Sequence, residues 1–454
     1  MALAHHGISD STLPVEGPAE WVTAPAAWRL CWVFPTETSA TIALPSNRSS
    51  IIGRDEGSQI RVDSARVSRQ HAEIRWDGEV PSLSDLKSRN GTFVNGAPVT
   101  RTRLQSGDVL RVGDRLGIVM RTSETFASDV GAIAAGLWAG PTLRRALEPV
   151  RGIAKTDLPV IFHGATGSGK ERAARALHEW SGRTGPFVAV NCAAIPEQLA
   201  EAELFGYRQG AFTGADKAAI GHLRAADQGT LLLDEITDLP LSQQAKLLRA
   251  IELGEVQAIG QARSVPINVR FVAASQLALA DAVAQGRFRA DLAARLAGLT
   301  IRLPALAERR EEIPGLFIQL LANRLGSSLP AIEAPLVERL MLHHWPGNVR
   351  ELDLLVRRLL GLHGNESQLS MVHLAGTELA QEPAAMDSPP AGESNAALPR
   401  EERELKALLS ALKDCGGNLT RAASRVRISR QRAYRLLQEQ SKVSLEDLRK
   451  RRLQ

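Results

Sequence analysis

The octapeptide Gly164-Ala165-Thr166-Gly167-Ser168-Gly169-Lys170-Glu171 constrains the fold more than any other stretch of the chain. A loop of this composition wraps an anion with successive backbone N–H groups at the start of a helix, whose dipole also favours negative charge. It therefore needs a strand before it and a helix after it. Leu158-Pro159-Val160-Ile161-Phe162 supplies an apolar strand, and 171–180 reads as a helix. Farther on, Leu231-Leu232-Leu233-Asp234-Glu235 is an apolar strand ending in two carboxylates, and Val269-Arg270-Phe271-Val272-Ala273-Ala274 is another strand. Strands alternating with helices such as 171–180 and 241–253 predict a parallel α/β sheet over 140–303. Residues 304–375 read as helical throughout and should form a smaller lid.

The chemistry follows from that arrangement. Lys170 is placed to reach the β/γ-phosphates of a nucleotide. Asp234 and Glu235 emerge at the C-terminal end of their strand, where ligands of α/β sheets bind. One carboxylate is wanted on a metal and the other on the attacking water, and Asp234 and Glu235 take those roles in that order. Glu171 stands where many such loops carry Ser or Thr for Mg²⁺. The cation must then rely on Asp234, phosphate oxygens and water, which a water-retaining ion tolerates. ATP and Mg²⁺ are the expected cofactors, and ATP hydrolysis the expected activity.

Between the two halves of this site, glycines recur at 206, 210 and 214, a density that favours a loop over a helix. Phe212 is flanked by Ala and Gly and has no neighbouring bulk to bury it. The hexapeptide Gly210-Ala211-Phe212-Thr213-Gly214-Ala215 closely resembles the GAFTGA loop of the AAA+ activators that remodel sigma-54 RNA polymerase. The resemblance covers residues 138–375. It implies that Asn191 couples the water-positioning carboxylate to the loop, that Ser275 and Gln276 stand at the γ-phosphate sensor, and that Arg289 and Arg295 are arginine fingers. Within Trp345-Pro346-Gly347-Asn348-Val349-Arg350-Glu351-Leu352 it makes Arg350 the lid's nucleotide sensor. Fingers supplied in trans imply a closed ring, hexameric by family. Ala165 and Gln276 depart from the family's usual residues.

Residues 25–124 read as many short strands. Ala72, Ile74 and Trp76 alternate with His71, Glu73 and Arg75, as in a half-buried strand. Asn90-Gly91 and Asn95-Gly96 are hairpin-turn dipeptides flanking Thr92-Phe93-Val94, and Val109–Val112 is a further strand. A β-sandwich is predicted. Gly53-Arg54, Ser68-Arg69-Gln70-His71 and Asn90-Gly91-Thr92 resemble the forkhead-associated (FHA) domain. That likeness implies Arg54 and Ser68 on a phosphothreonine phosphate, Arg69 and Arg89 as auxiliary cations, Asn90 on the peptide backbone and His71 bracing the loop. A guanidinium fork with a hydroxyl suits a phosphate.

The C-terminal segment is where charge is concentrated. The whole chain of 454 residues has a net charge of +5, but 399–454 carries 15 Lys/Arg against 7 Asp/Glu, hence +8, leaving −3 elsewhere. A polyanion partner, most simply DNA, is expected there. Asn418 caps a helix from Leu419 to about Val426, and Ser429 caps a second presenting Arg430, Gln431, Arg432 and Arg435. The pair forms a basic helix-turn-helix. It is similar to the Fis-type domain that ends many of these activators. Arg427 departs from the Gly often found in that turn.

The expected organisation is thus a tail (1–24), an FHA sandwich (25–124), a small-residue joint (125–139) and an α/β P-loop domain (140–303). A helical lid (304–375), a Pro-containing linker (376–398) and an all-α helix-turn-helix (399–454) follow. Three scattered cysteines form no disulfide framework. The N-terminus lacks a signal-peptide pattern and no apolar run is long enough for a bilayer, so a cytoplasmic location is expected. Expected partners are sigma-54 polymerase, enhancer DNA and a phosphothreonine protein. An AAA+ chaperone acting on another protein, and a phosphopeptide scaffold with a dead ATPase, are the rival readings. The presence of Lys170, Asp234, Glu235 and both fingers weighs against the second.

Overall fold

The computed structural model describes residues 27–46, 48–122, 131–213, 215–326, 328–380 and 408. Ser429, Arg430, Gln431, Arg432 and Arg435 of the expected helix-turn-helix lie outside the described residues, as do the tail and Gly214.

The N-terminal part pairs two sheets. One has six strands in the order Ala40–Ala43, Ala27–Phe34, Arg115–Thr122, Val109–Val112, Thr92–Val94 and Ala97–Val99. The other has five, in the order Ile60–Arg61, Ser50–Gly53, Ala72–Asp77, Val80–Asp85 and Arg101–Arg103. Leu30, Trp32, Ile52, Ile74, Leu83, Leu110 and Val119 fill the space between them. Asn95 and Gly96, both at positive φ, turn Thr92–Val94 into Ala97–Val99 as a hairpin. Asn90-Gly91 closes no hairpin: it lies on the loop that crosses from the five-stranded sheet to the six-stranded one. The alternation around Ile74 is also imperfect, since Glu73 is buried and paired to Arg75 at 2.8 Å.

The central part is a parallel sheet in the order Phe187–Asn191, Thr230–Asp234, Arg270–Ser275, Val160–His163 and Leu299–Arg302. Residues 231–233 and 271–274 are buried throughout, which explains their unbroken apolar runs. The joint differs from expectation. Gly131–Ala134 and Leu137–Ala139 form a two-stranded hairpin, and Leu137 and Ala139 are buried in the core of the α/β domain.

The lid is built on helices Ile313–Leu325, Ala334–Leu342 and Asn348–His363. It is not helical throughout, because Ala331–Ile332 and Gln368–Leu369 pair as a short parallel ladder. Residues 376–380 belong to it rather than to the linker: Leu379 is buried, and its carbonyl accepts from Arg339 Nε at 2.7 Å.

The sandwich does not end at its own core. Strand Ala27–Phe34 is buried on both faces, with Trp28, Leu30 and Trp32 in the sandwich core. Cys31, Val33 and Phe34, with Val109 and Ile118, share a second core with Phe317, Leu336, Leu340 and Met341 of the lid. Each Val, Ile or Phe buried there contributes about 1.5–3 kcal/mol. At the same seam Glu338, 4% exposed, accepts from Arg111 Nε at 2.6 Å and from the Gly96 N–H at 3.2 Å. Burial pushes the Glu338 carboxyl up, and Arg111 opposes that shift. A buried ion pair roughly breaks even against desolvation. The apolar side chains therefore hold the seam together.

Candidate functional site

The phosphate-binding loop starts where Val160–His163 ends. The Gly164 N–H donates to Ser275 O at 3.1 Å, tying the loop to the adjacent strand. Gly167 and Gly169 have φ of 75° and 103°, a region glycine enters without steric cost. Lys170 begins helix Lys170–Ser181, and its Nζ donates to Gly164 O at 2.9 Å and lies 3.5 Å from Glu235 Oε1. Asp234 closes Thr230–Asp234, and Glu235 follows at φ 49° with its N–H on Asp234 Oδ1 at 3.1 Å. Burial raises the Asp234 carboxyl above its ordinary range, the Glu235 charge adds to this, and Lys170 opposes it. One lysine and two carboxylates, remote in sequence, thus converge at the ends of two parallel strands.

The remaining expected residues are distributed less simply. Asn191 is in register with Asp234 on the neighbouring strand, but its Oδ1 accepts from the Ala193 N–H at 3.0 Å. Ser275 Oγ donates to Leu277 O at 2.7 Å, so this hydroxyl serves a local turn. The side chain that reaches Glu235 is Gln276, whose Nε2 donates to Oε1 at 3.0 Å. Short Asn and Ser side chains find nearer backbone partners, whereas Gln spans the gap. Glu171 turns to the exposed helix face and pairs with Arg175 at 2.8 Å. Arg289 is exposed and bonded to Asp291 at 2.7 Å, and Arg295 is exposed on helix Ala290–Leu296.

Three lid residues hold the loop. Asn348, buried at φ 53°, donates through Nδ2 to Thr166 O at 2.9 Å and accepts the Leu306 N–H at 2.8 Å. The next residue, Val349, donates its N–H to Gly167 O at 3.1 Å. Arg309, fully buried, bonds Ser168 O at 2.6 Å and Glu312 at 2.9 Å. Arg350 is exposed beside Gly167, where an added Cβ would collide with Gly347 O and lie 3.2 Å from Arg350 Cβ. The motif points to Arg350, yet Asn348 is the residue that meets the loop; its one local signal is an Asn directly after a Gly, a residue type that readily takes positive φ.

The Gly-rich loop has a paired stem. Tyr207 bridges Ala219, the Gly210 N–H donates to Ala215 O at 2.9 Å, and Ala215 is buried. Phe212 is 44% exposed at the tip, its ring 5.0 Å from that of Tyr207. On the sandwich, Arg54, Arg69, Arg89 and Asn90 are exposed and Ser68 is half-buried. The Arg54 N–H donates to Ser68 O at 3.1 Å, and Ser68 Oγ accepts the Arg89 N–H at 3.1 Å. Asn90 Nδ2 donates to Arg66 O at 2.6 Å. Beneath them His71 is fully buried: its Nδ1 accepts the Ser68 N–H and its Nε2 meets Gly91 O, both at 3.1 Å. That pattern puts the proton on Nε2, and burial holds the imidazole pKa below its ordinary value.

The family of the sigma-54 interaction domain matches residues 138–302, the FHA domain 50–113, and an AAA+ ATPase lid domain 307–390. The transcriptional regulatory protein ZraR of Klebsiella oxytoca is 41% identical over 319 residues, 68% of this chain and 70% of the relative. The chain belongs to the sigma-54-dependent transcriptional regulators. The C4-dicarboxylate transport regulator DctD of Rhizobium meliloti is 47% identical over 230 residues, half of each chain. The crystal structure of NtrX from Brucella abortus in complex with ADP aligns at 33% identity and a TM-score of 0.48, covering 66% of this chain and 69% of that one. The regulator family places a domain of ATPase type at the centre of the chain and implies sigma-54 RNA polymerase as partner. No helix among the described residues is long and apolar enough to cross a membrane.

The oxygen donors of a kind that suits Mg²⁺ lie at the strand end, where Asp234 and Glu235 are adjacent. Two other groupings, His363–Glu366–His373 and His343–Glu351–Glu378, fit a cation poorly. In each, a His Nδ1 already accepts a backbone N–H, from Ser370 at 2.9 Å or Trp345 at 3.1 Å. The proton then sits on Nε2, and that ring has no free lone pair to offer.

Proposed function

We propose that the chain is an ATP-driven activator of sigma-54 RNA polymerase that responds to phosphothreonine recognition. Lys170 holds the nucleotide phosphates, Asp234 takes Mg²⁺ and Glu235 orients the attacking water, with Asn191 and Gln276 beside it. Mg²⁺, when bound, neutralises phosphate charge. Arg289 and Arg295 face solvent, which suits completion of a neighbouring subunit's site in a ring, hexameric by family. Arg54, Ser68, Arg69 and Asn90 take the phosphothreonine peptide, and the basic segment 399–454 takes enhancer DNA.

The observation that supports this reading best is Phe212, held half out of the fold at the tip of a paired loop, on a domain whose ATP-site groups converge. Nothing in the nucleotide site uses that ring. Phe212→Ala should therefore keep its melting temperature and ATPase rate, yet fail to open promoter complexes with sigma-54 polymerase. A core phenylalanine would instead cost about 3–5 kcal/mol on truncation, and ATPase would fall with stability. Full promoter opening by Phe212→Ala would remove the polymerase-contact role.

A further inference from the structure

The seam between the FHA domain and the lid lies on a continuous path between the two expected ligand sites. On the FHA side, the loop carrying Arg89, Asn90 and Gly91 runs without interruption into strand Thr92–Val94. Phe93 of that strand is the direct partner of Arg111, whose guanidinium lies 3.6 Å over the Phe93 ring. The same strand ends in Asn95-Gly96, and Gly96 and Arg111 are the two groups that hold Glu338. On the lid side, Glu338 belongs to helix Ala334–Leu342. Trp345, fully buried, donates its indole N–H to Leu340 O of that helix at 2.8 Å. Its carbonyl accepts the Asn348 N–H at 2.8 Å, and Asn348 holds Thr166 O of the phosphate-binding loop.

We infer that the FHA domain uses the Gly96–Arg111 edge as a docking surface for the lid, and that Glu338 couples phosphopeptide binding to nucleotide binding. This rests on the functional reading above and adds where the two sites meet. Apolar contact supplies the adhesion of the seam, but it is not directional. The carboxylate is directional: with both oxygens engaged by the strand pair that extends from the peptide loop, a shift of that pair moves Glu338, and with it the helix that leads to Asn348. Gly96 adds a steric constraint, since a Cβ there would lie 3.2 Å from Leu342 Cδ1 of the same helix.

Coupling of this kind is reciprocal: each ligand must change the other's affinity by the same factor, typically 5- to 150-fold. The test uses the full chain, a fluorescent ADP analogue and a phosphothreonine peptide selected on the full chain from a degenerate library. The unphosphorylated peptide and Arg54→Ala serve as controls. Nucleotide Kd is measured with and without saturating peptide, and peptide Kd with and without saturating nucleotide. The two ratios should agree and be about fivefold or more in either direction. In Glu338→Gln both ligands should still bind, with the ratio falling towards one. Should Glu338→Gln fail to fold, Gly96→Ala disturbs the same contact and should give the same loss. A ratio of one in the wild type, or a wild-type ratio in a folded seam variant, overturns the inference while leaving the functional reading intact. Failure of the wild type to bind any phosphopeptide overturns the sensing role, and the inference with it.

Discussion

The two loops for which we propose a phosphate ligand are held in different ways. The FHA loop is braced from within its own domain: His71, a few residues from Ser68, bonds both Ser68 and Gly91 from a buried position. The phosphate-binding loop of the ATPase domain is braced from outside. Thr166, Gly167 and Ser168 give their carbonyls to Asn348, Val349 and Arg309, all in the lid and all at least 141 residues away in sequence. A loop braced locally keeps its shape when neighbouring domains move. A loop braced by another domain takes its shape from that domain's position. Under the proposed function, the difference suits a sensor that must stay competent and a catalytic site that must be adjustable.

The comparison can be broken at three points, in descending size of effect. The largest concerns how far outside bracing extends. If a neighbouring subunit completes the nucleotide site, Arg295→Ala or Arg289→Ala should lower turnover by ~10³–10⁵, the usual worth of an arginine finger. Mixing either with Glu235→Gln should partly restore activity, because some interfaces then carry one intact finger and one intact carboxylate. No restoration at any mixing ratio would confine the site to a single chain.

Asn348 tests the bracing within one chain. Asn348→Asp keeps an oxygen for the Leu306 N–H but loses the donor to Thr166 O. Leaving that carbonyl unsatisfied should cost about 1–3 kcal/mol, or a roughly 5- to 150-fold weaker nucleotide Kd by titration calorimetry. An unchanged Kd in a variant that melts like wild type would show that the loop holds itself, as the FHA loop does.

The smallest effect is on the sensor. Burial depresses the His71 pKa below the ordinary 6.5, so the folded domain prefers the neutral ring. Above that pH both folded and unfolded states are neutral there and its contribution to stability is complete. As pH falls below it, the unfolded chain takes the proton first, and stability declines until the depressed folded value is passed. The melting midpoint should therefore drop on mild acidification more in wild type than in His71→Gln. Equal pH profiles would deny His71 its bracing role.

Where sequence and structure agree and where they part follows the range of the forces involved. The strand–loop–helix order around Lys170, the carboxylates at a strand end and the Asn95-Gly96 hairpin are written in contiguous residues, because local backbone sterics and periodicity decide them. Side-chain partners across gaps were harder to foresee. Gln276 rather than Ser275 reaches Glu235, since the outcome depends on which backbone group each side chain meets first. The seam was hidden for another reason. Leu30-Cys31-Trp32-Val33-Phe34 is apolar at five consecutive positions, a run that fits burial on both faces but that the expected sandwich does not by itself require. What covered the second face was not legible.

By itself, then, the sequence determined the family, the phosphate-binding loop, the paired carboxylates and the exposed aromatic loop, each through a short motif whose chemistry requires neighbours in the chain. Only the tertiary structure decided that the lid clasps the phosphate-binding loop through Asn348 and Arg309, and that Glu338 meets Arg111 across 227 residues. Burial makes such contacts decisive: a polar group removed from water must find a partner wherever the fold brings one. No pattern along the chain records which distant residue that will be.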